Sequence, residues 1–257
     1  MQTLPLSLPL AALLALTSAL AAAPGASHPL SAKERAELLP VICPDAVTSR
    51  GCSRCPPGTS EAGEAEDVTA TAVTYGHYLK AGQTAALVDL AGCEAHVTNF
   101  GATALLRWEG LTRWTLLKVL PGYRTDRCVN FTGQDGRDRS VCEGYYANMG
   151  IEVSWLALTD WTRPDDARNL LSVESNVESC MGSEVHDLRL VRWSRQGPRL
   201  VAQVSEARGR IPAGWQCGDP VKLPRPRTVA LSWRWNGASF MPAPSTRQVL
   251  PRIQAQP

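Results

Sequence analysis

Residues 188–206 read LRLVRWSRQGPRLVAQVSE, two strand-like runs joined by a turn. Valine and leucine recur through both runs, and Gly197-Pro198 separates them as turn residues separate the strands of a hairpin. Glu109-Gly110 and Asn236-Gly237 lie between similar runs. Asparagine and glycine tolerate the positive φ of a type I′ turn, so the Asn-Gly pair is the strongest of the three hairpin signals. These hairpins predict an all-β fold.

The same alternation of short apolar runs and turn residues extends from Val68 to Pro242. It predicts ten strands, at Val68–Tyr75, Ala85–Leu90, Ala104–Arg107, Trp114–Val119, Ser140–Tyr146, Glu152–Leu158, Leu170–Glu174, Leu188–Trp193, Leu200–Ser205 and Thr228–Trp235. One helix is predicted, in the SAKERAELL run at Ser31–Leu39. Ser31 and Glu34 have the spacing of a capping box there, and Pro40 is expected to end the helix.

The first run of each hairpin ends on a tryptophan, at Trp108, Trp193 and Trp235. The intervals, about 85 and about 42 residues, fit a unit of about 42 with one degenerate copy near residue 150. Repeats of roughly this length built from short strands are typical of propeller-like arrays, in which each small sheet packs on the next. The pattern predicts about four short antiparallel sheets, with a β-sandwich as the alternative.

The segment FTGQDGRDRSV at Phe131–Val141 resembles the FG-GAP or VCBS repeat of integrin-like β-propellers. That repeat has an aromatic residue, a turn rich in Gly and Asp, and an acidic residue that opens an apolar strand. Tyr75–Val88 keeps the spacing without the acids, and Ser183–Leu188 keeps only the end of the pattern. The resemblance implies a propeller-like fold, a binding role, and Ca²⁺ held in the turn by Asp135 and Asp138.

Calcium takes six to eight oxygen ligands, and this turn offers two carboxylates. The alternative is that Asp135-Gly136 forms the turn and Asp138 accepts hydrogen bonds from neighbouring backbone amides. No other cofactor is expected.

Eight cysteines, an even number, predict up to four disulfides in an oxidising compartment. Cys128 and Cys142 flank the Asp135 turn, where antiparallel strands bring cross-strand cysteines to bonding distance, so one bridge is predicted between them. Cys180 is paired with Cys217 by proximity and elimination. Three connectivities stay open for the remaining residues, which are Cys43, Cys52, Cys55 and Cys93.

Cys52 and Cys55 have the spacing of a redox motif, but Pro56-Pro57-Gly58 prevents the helix that would stabilise a thiolate. A zinc site would need a second pair of ligands at suitable spacing, and the four histidines are scattered. A disulfide-stapled loop is the favoured interpretation.

Leu4–Ala23 is almost wholly apolar and runs into small residues that fit a signal-peptidase site. Pro5 and Pro9 leave about 15 good residues, where a membrane span needs roughly 20, and no later run is long enough. We expect residues 1–23 to be a signal peptide and the mature chain to be periplasmic or secreted. Residues 24–67 are expected to hold a helix, a Cys-rich loop and a linker, 68–242 a β-rich repeat domain, and 243–257 a Pro-rich flexible tail.

The sequence contains no GxSxG, HExxH or phosphate-loop motif, and no catalytic residue is predicted. A formal net charge of +2 does not indicate a nucleic-acid or anionic-membrane partner. Trp233 and Trp235 share a strand face and form the predicted binding patch, if that face is exposed.

The leading hypothesis is a non-enzymatic extracytoplasmic binding or scaffolding protein with a protein or carbohydrate ligand. One alternative is a secreted hydrolase of polysaccharide or peptidoglycan, which would need an acid pair with raised pKa in a Trp-lined cleft. The other is a disulfide-stapled inhibitor or accessory module, with the Cys43–Cys93 segment as its active surface.

Overall fold

The computed structural model describes residues 25–57, 68–92, 101–111, 113–177, 184–216, 219 and 221–254. The predicted signal peptide at 1–23 and three cysteines, Cys93, Cys180 and Cys217, lie outside these residues. Within the described ranges the chain is mostly β-strand, with two short α-helices and two antiparallel sheets.

The first sheet has six strands and the order β1-β3-β4-β5-β6, with β2 also paired to β3. Its strands are β1 (His28–Pro29), β2 (Gly51–Cys52), β3 (Val68–Gly76), β4 (Ala85–Ala91), β5 (Ala102–Trp108) and β6 (Trp114–Pro121). Small or aliphatic residues line both faces of β4 and β5, because one face packs on the N-terminal segment and the other on the second sheet.

Helix α1 (Ala32–Ile42) covers the first of these faces. Its capping box is present, since the Ser31 side chain accepts from the Glu34 amide and the Glu34 carboxylate accepts from the Ser31 amide. The prediction that Pro40 ends the helix is wrong. The helix continues to Ile42, a core residue, and burial of that last turn outweighs the one hydrogen bond that proline removes.

The second sheet has eight strands, and every strand lies beside its sequence neighbours in the order β14 to β7. They are β7 (Cys128–Thr132), β8 (Asp138–Asn148), β9 (Ile151–Thr159), β10 (Arg168–Ser175), β11 (Glu184–Gln196), β12 (Arg199–Arg210), β13 (Arg227–Trp235) and β14 (Phe240–Pro242). All ten predicted strands are therefore present, and each is longer than predicted.

This second sheet curls until its two edge strands, β7 and β14, touch. The rings of Phe131 and Phe240 meet edge to face with centroids 4.8 Å apart. The Trp235 indole N–H donates to the Thr132 carbonyl at 2.9 Å, and the Arg195 guanidinium donates to the Asn130 carbonyl. These side chains thus donate hydrogen bonds to β7 carbonyls that would be unpaired at the edge of an open sheet.

Helix α2 (Pro244–Ile253) packs on the concave face of the curled sheet. Ile253 is buried there among residues of β10 to β13, with Val249 and Leu250 beside it. A flexible tail was predicted from residue 243, and over Pro244–Ile253 that prediction is wrong. Tertiary contacts keep the segment helical even though Pro251 lies in its last turn.

The three predicted hairpins are present, as the β5–β6, β11–β12 and β13–β14 pairs. The Asn236-Gly237 turn is not the two-residue type I′ turn, because Trp235 pairs with Phe240 and four residues lie between them. Gly237 alone of the pair has a positive φ, and the Asn236 side chain instead accepts hydrogen bonds from the Ala238 and Ser239 amides.

A third core cluster joins the two sheets. Trp161 is fully buried between the rings of Tyr78 and Tyr123, and its indole N–H donates to Ser140 of β8 at 2.7 Å. Asp89 of β4 is buried nearby, and its carboxylate accepts from both the amide and the hydroxyl of Thr125. These contacts hold β4, the turn before β7, and β8 together.

Two disulfides are described. Cys128–Cys142 joins β7 to β8 directly across the ladder, as predicted, with the Cα atoms 4.1 Å apart. Cys43–Cys52 selects one of the three open connectivities and lies within the core of the first sheet. Cys55 is also disulfide-bonded.

The described residues form sheets of six and eight strands in place of four small sheets, and neither sheet closes on itself, so a propeller is not shown. No helix in the described part of the chain is long and apolar enough to cross a membrane.

The capping residue Glu34 gives a pH-dependent prediction. Burial opposes its ionisation, but hydrogen bonds from Ser31, His28 and Tyr75 outweigh it and lower the pKa of Glu34 from 4.5 to about 2. A depressed carboxyl pKa adds stability above the unfolded value, and this stability is lost as pH falls from about 4.5 towards 2. Glu34→Gln should therefore lower the free energy of unfolding by about 2 kcal/mol at pH 7.

The difference should shrink steadily in urea unfolding curves recorded from pH 5 down to pH 2.5. Glu37→Gln is the matched control, since Glu37 makes only a 3.8 Å pair with exposed Lys33 and should cost under about 0.5 kcal/mol. An E34Q deficit that is equally large at pH 7 and pH 2.5 would contradict this assignment.

Candidate functional site

Asp135 lies in the turn between β7 and β8, where calcium is the predicted ligand. Its carboxylate accepts two hydrogen bonds from Arg139, at 3.0 and 2.8 Å, and one from the Arg137 Nε at 2.9 Å. Arg137 also pairs with Asp160 at 3.0 Å. Hydrogen bonds from Arg139 and Arg137 hold the pKa of Asp135 well below its usual range, so the carboxylate is ionised and already neutralised.

Asp138 lies at the start of β8 and is buried. One carboxylate oxygen accepts from the His77 amide at 2.8 Å, and the other accepts from the Thr132 hydroxyl at 2.8 Å. The structure therefore places Asp138 as an acceptor for a backbone amide. It also shows no group of three or more His, Cys, Asp or Glu positioned for a metal among the described residues.

Trp233 and Trp235 do lie on one face of β13, but that face is the concave one. Trp233 is only 2 % exposed, in the core beneath α2. Trp235 is half-buried against Phe131 and Phe240. The exposed tryptophan patch is thus absent, because the curl of the sheet turns these rings inward.

The hydrolase alternative requires an acid pair with raised pKa in a Trp-lined cleft, and the described ranges show no such pair. Burial raises the pKa of Asp89 to about 6, against the lowering effect of hydrogen bonds from Thr125, Asp126 and Thr103. Asp89 is 1 % exposed and enclosed by those donors. It therefore forms a structural contact between the sheets and has no open cleft beside it.

A different surface emerges from the outer face of β11, β12 and β13. Residues 184–257 hold twelve Lys and Arg against four Asp and Glu, although the whole chain has a net charge of only +2. Side chains alternate along a strand, so burying Ala202, Leu231 and Trp233 turns their neighbours outward. We call this outward-facing set the arginine face; it comprises Arg192, Ser194, Gln196, Arg199, Val201, Gln203, Ala230, Ser232 and Arg234.

The register places like charges together on the arginine face. Arg199 of β12 is directly opposite Arg234 of β13, and Arg192 of β11 is opposite Gln203. Opposed like charges destabilise a strand pair. No carboxylate is among the nine residues of the arginine face; further along β11, Arg189 pairs with Asp187 and Glu152. An anionic partner would remove the repulsion between Arg199 and Arg234.

A groove of about 560 Å³ lies over these strands. Its lining includes small or polar residues of the arginine face, such as Ser194, Val201 and Ser232, together with Ser245 at the start of α2. Arg192 borders it, and its Nε donates to Gln203 at 2.9 Å. Hydroxyl, amide and guanidinium groups therefore surround the groove. Trp193 and Leu231 also line it, and both pack in the core on the other side of the sheet.

The arginine face was missed at the sequence level because the charge was summed over the whole chain. Counting charge by segment would have shown the basic C-terminal third. The alternation in RLVAQV would then have separated outward Arg199 from inward Leu200.

The turn geometry predicts no specific calcium binding. Titration of the protein with CaCl₂ should give no saturable heat in calorimetry, and neither Ca²⁺ nor EDTA should shift the Tm by more than about 1 °C, because bound ligand would stabilise the fold in proportion to its occupancy. Asp135→Asn serves as control, since it should lower the Tm by loss of its arginine pairs with or without calcium. A Tm rise of several degrees with calcium in the native protein, absent in D135N, would contradict this.

Comparison of the chain with protein-family models, with curated proteins and with solved structures finds no match. The functional assignment therefore depends on the geometry and charge of the chain itself.

Proposed function

We propose that this protein is an extracytoplasmic, non-enzymatic binding protein that holds an acidic polysaccharide on the arginine face. The observation that carries the proposal is the Arg199–Arg234 cross-strand pair on a face without carboxylates. A binding role is also what the FG-GAP-type resemblance of Phe131–Val141 implies.

The extracytoplasmic part of the proposal is supported by the cysteines and by the N-terminal sequence. Disulfides persist mainly in oxidising compartments, and Cys43–Cys52 and Cys128–Cys142 are both bonded. The apolar run at Leu4–Ala23 has the length and ending of a signal peptide.

The chemistry of the groove favours a sugar polymer over an acidic protein. Protein interfaces depend on a central aromatic or large aliphatic anchor. The large apolar residues lining the groove, Trp193 and Leu231, pack in the core, and the outward apolar residues are Val201 and Ala230. Serine and glutamine side chains can hydrogen-bond sugar hydroxyls, and guanidinium groups form paired hydrogen bonds with carboxylates. Arg192 of β11 is opposite Gln203 of β12, and Gln203 lies four residues along β12 from Arg199. Arg192 and Arg199 are therefore about 13 Å apart along the strand direction. A chain of repeated charges can reach both positions.

Binding to immobilised polygalacturonate tests the proposal. The native protein should bind at low salt and lose affinity as NaCl is raised, since salt screens exposed charges. The double variant R199Q/R234Q should bind about tenfold more weakly, because it removes two charge-assisted contacts. The control K33Q/R163Q removes two exposed cations elsewhere, whose side chains are 84 % and 72 % exposed, and should bind like the native protein.

Polyglutamate of matched charge separates the two classes of partner. Equal or tighter binding of polyglutamate would overturn the polysaccharide assignment in favour of an acidic protein. Unchanged polygalacturonate binding by R199Q/R234Q, or no binding by the native protein, would overturn the arginine face as the binding surface.

A further inference from the structure

A second cavity lies on the opposite side of the same sheet. It has a volume of about 350 Å³ and opens between the end of α2 and the concave surfaces of β10, β11 and β12. Leu188 and Ile253 line it with small accessible areas, since they are 3 % and 1 % exposed. Four of its other lining residues are ionisable: Glu174, His186, Arg208 and Arg252.

The guanidinium groups at this cavity share one carboxylate. Glu206 is 2 % exposed and accepts from the Arg208 Nε at 3.0 Å and the Arg227 Nε at 2.9 Å, and Arg252 approaches it at 3.3 Å. Burial raises the pKa of Glu206, but the hydrogen bonds from Arg227 and Arg208 outweigh it and lower the pKa overall. Three cations therefore surround a single negative charge.

Arg208 is fixed in place and still has donors to offer. Its Nε binds Glu206, and one Nη2 hydrogen binds the Arg252 carbonyl at 2.7 Å. A guanidinium has five N–H donors, so several remain for another acceptor. A planar, oriented guanidinium of this kind matches a carboxylate, with which it forms two parallel hydrogen bonds.

One carboxylate lies at the cavity, beside a histidine. The Glu174 carboxylate lies 3.1 Å from the His186 Nε2, and His186 is directly opposite Arg208 in the β11–β12 ladder. Glu174 is the one carboxylate among the lining residues.

We infer that this cavity binds a small organic monocarboxylate, its carboxylate on Arg208 and Arg252 and its short apolar body against Leu188 and Ile253. Pockets with a few convergent polar groups beside apolar side chains are typical of small-molecule binding. The cavity volume of about 350 Å³ is ample for a short aliphatic carboxylate such as hexanoate. This site is on the concave side and is independent of the arginine face.

Hexanoate and its neutral analogue hexanamide test the inference by calorimetry or NMR titration of the full chain. Hexanoate should bind saturably, and hexanamide at least tenfold more weakly, because it lacks the charge. R208Q should weaken hexanoate binding about tenfold. R227Q is the matched control, since Arg227 contacts Glu206 equally closely but does not line the cavity; it should keep affinity within about threefold.

Glu174→Gln gives a test in which the expected result is tighter binding, which a misfolded variant would not show. It removes the negative charge at the cavity, so hexanoate affinity should rise about threefold while hexanamide binding stays unchanged. The inference is overturned if hexanoate does not saturate, if hexanamide binds equally well, if R227Q loses as much affinity as R208Q, or if E174Q weakens binding. Inorganic phosphate binding as tightly as hexanoate would also overturn the role given to the apolar walls.

Discussion

One constraint underlies the structure: the eight-stranded sheet must bury an apolar face that no second sheet covers. It does so by curling, so that its two edges meet through Phe131 and Phe240 and helix α2 covers the concave side. Trp193 of β11 reaches across the inside to Glu143 of β8, with the indole N–H 2.9 Å from the carboxylate. Twisted sheets of this width commonly curl or close for the same reason.

The curl also decides which side chains a partner can reach. Alternate residues of β11 to β13 point inward to the core, which leaves Arg199 and Arg234 on the outside and Leu200 and Trp233 within. The end of α2 leaves part of the concave side open, next to Arg208. The arginine face and the concave cavity are thus opposite sides of one short set of strands, and helix α2 contributes residues to both surfaces.

The local features were predictable from sequence, since strand alternation, hairpin turns, the Ser31–Glu34 capping box and the Cys128–Cys142 bridge involve residues close along the chain. What could not be predicted depends on long-range packing. The burial of Trp233 requires the curl, and the order of α2 requires the concave face beneath it. The ion pairs of Asp135 could have been predicted from the sequence, because its partners Arg137 and Arg139 lie only two and four residues away.

The most direct test of the central claim, that the outward arginines of the curled sheet are the binding surface, is to observe their side chains. In ¹H–¹⁵N spectra of the arginine Nε–Hε groups, adding oligogalacturonate should shift the signals of Arg192, Arg199 and Arg234. The signals of Arg137 and Arg139, held by Asp135, should stay in place. Shifts confined to arginines outside the arginine face, or no shifts at saturating oligomer, would contradict the account.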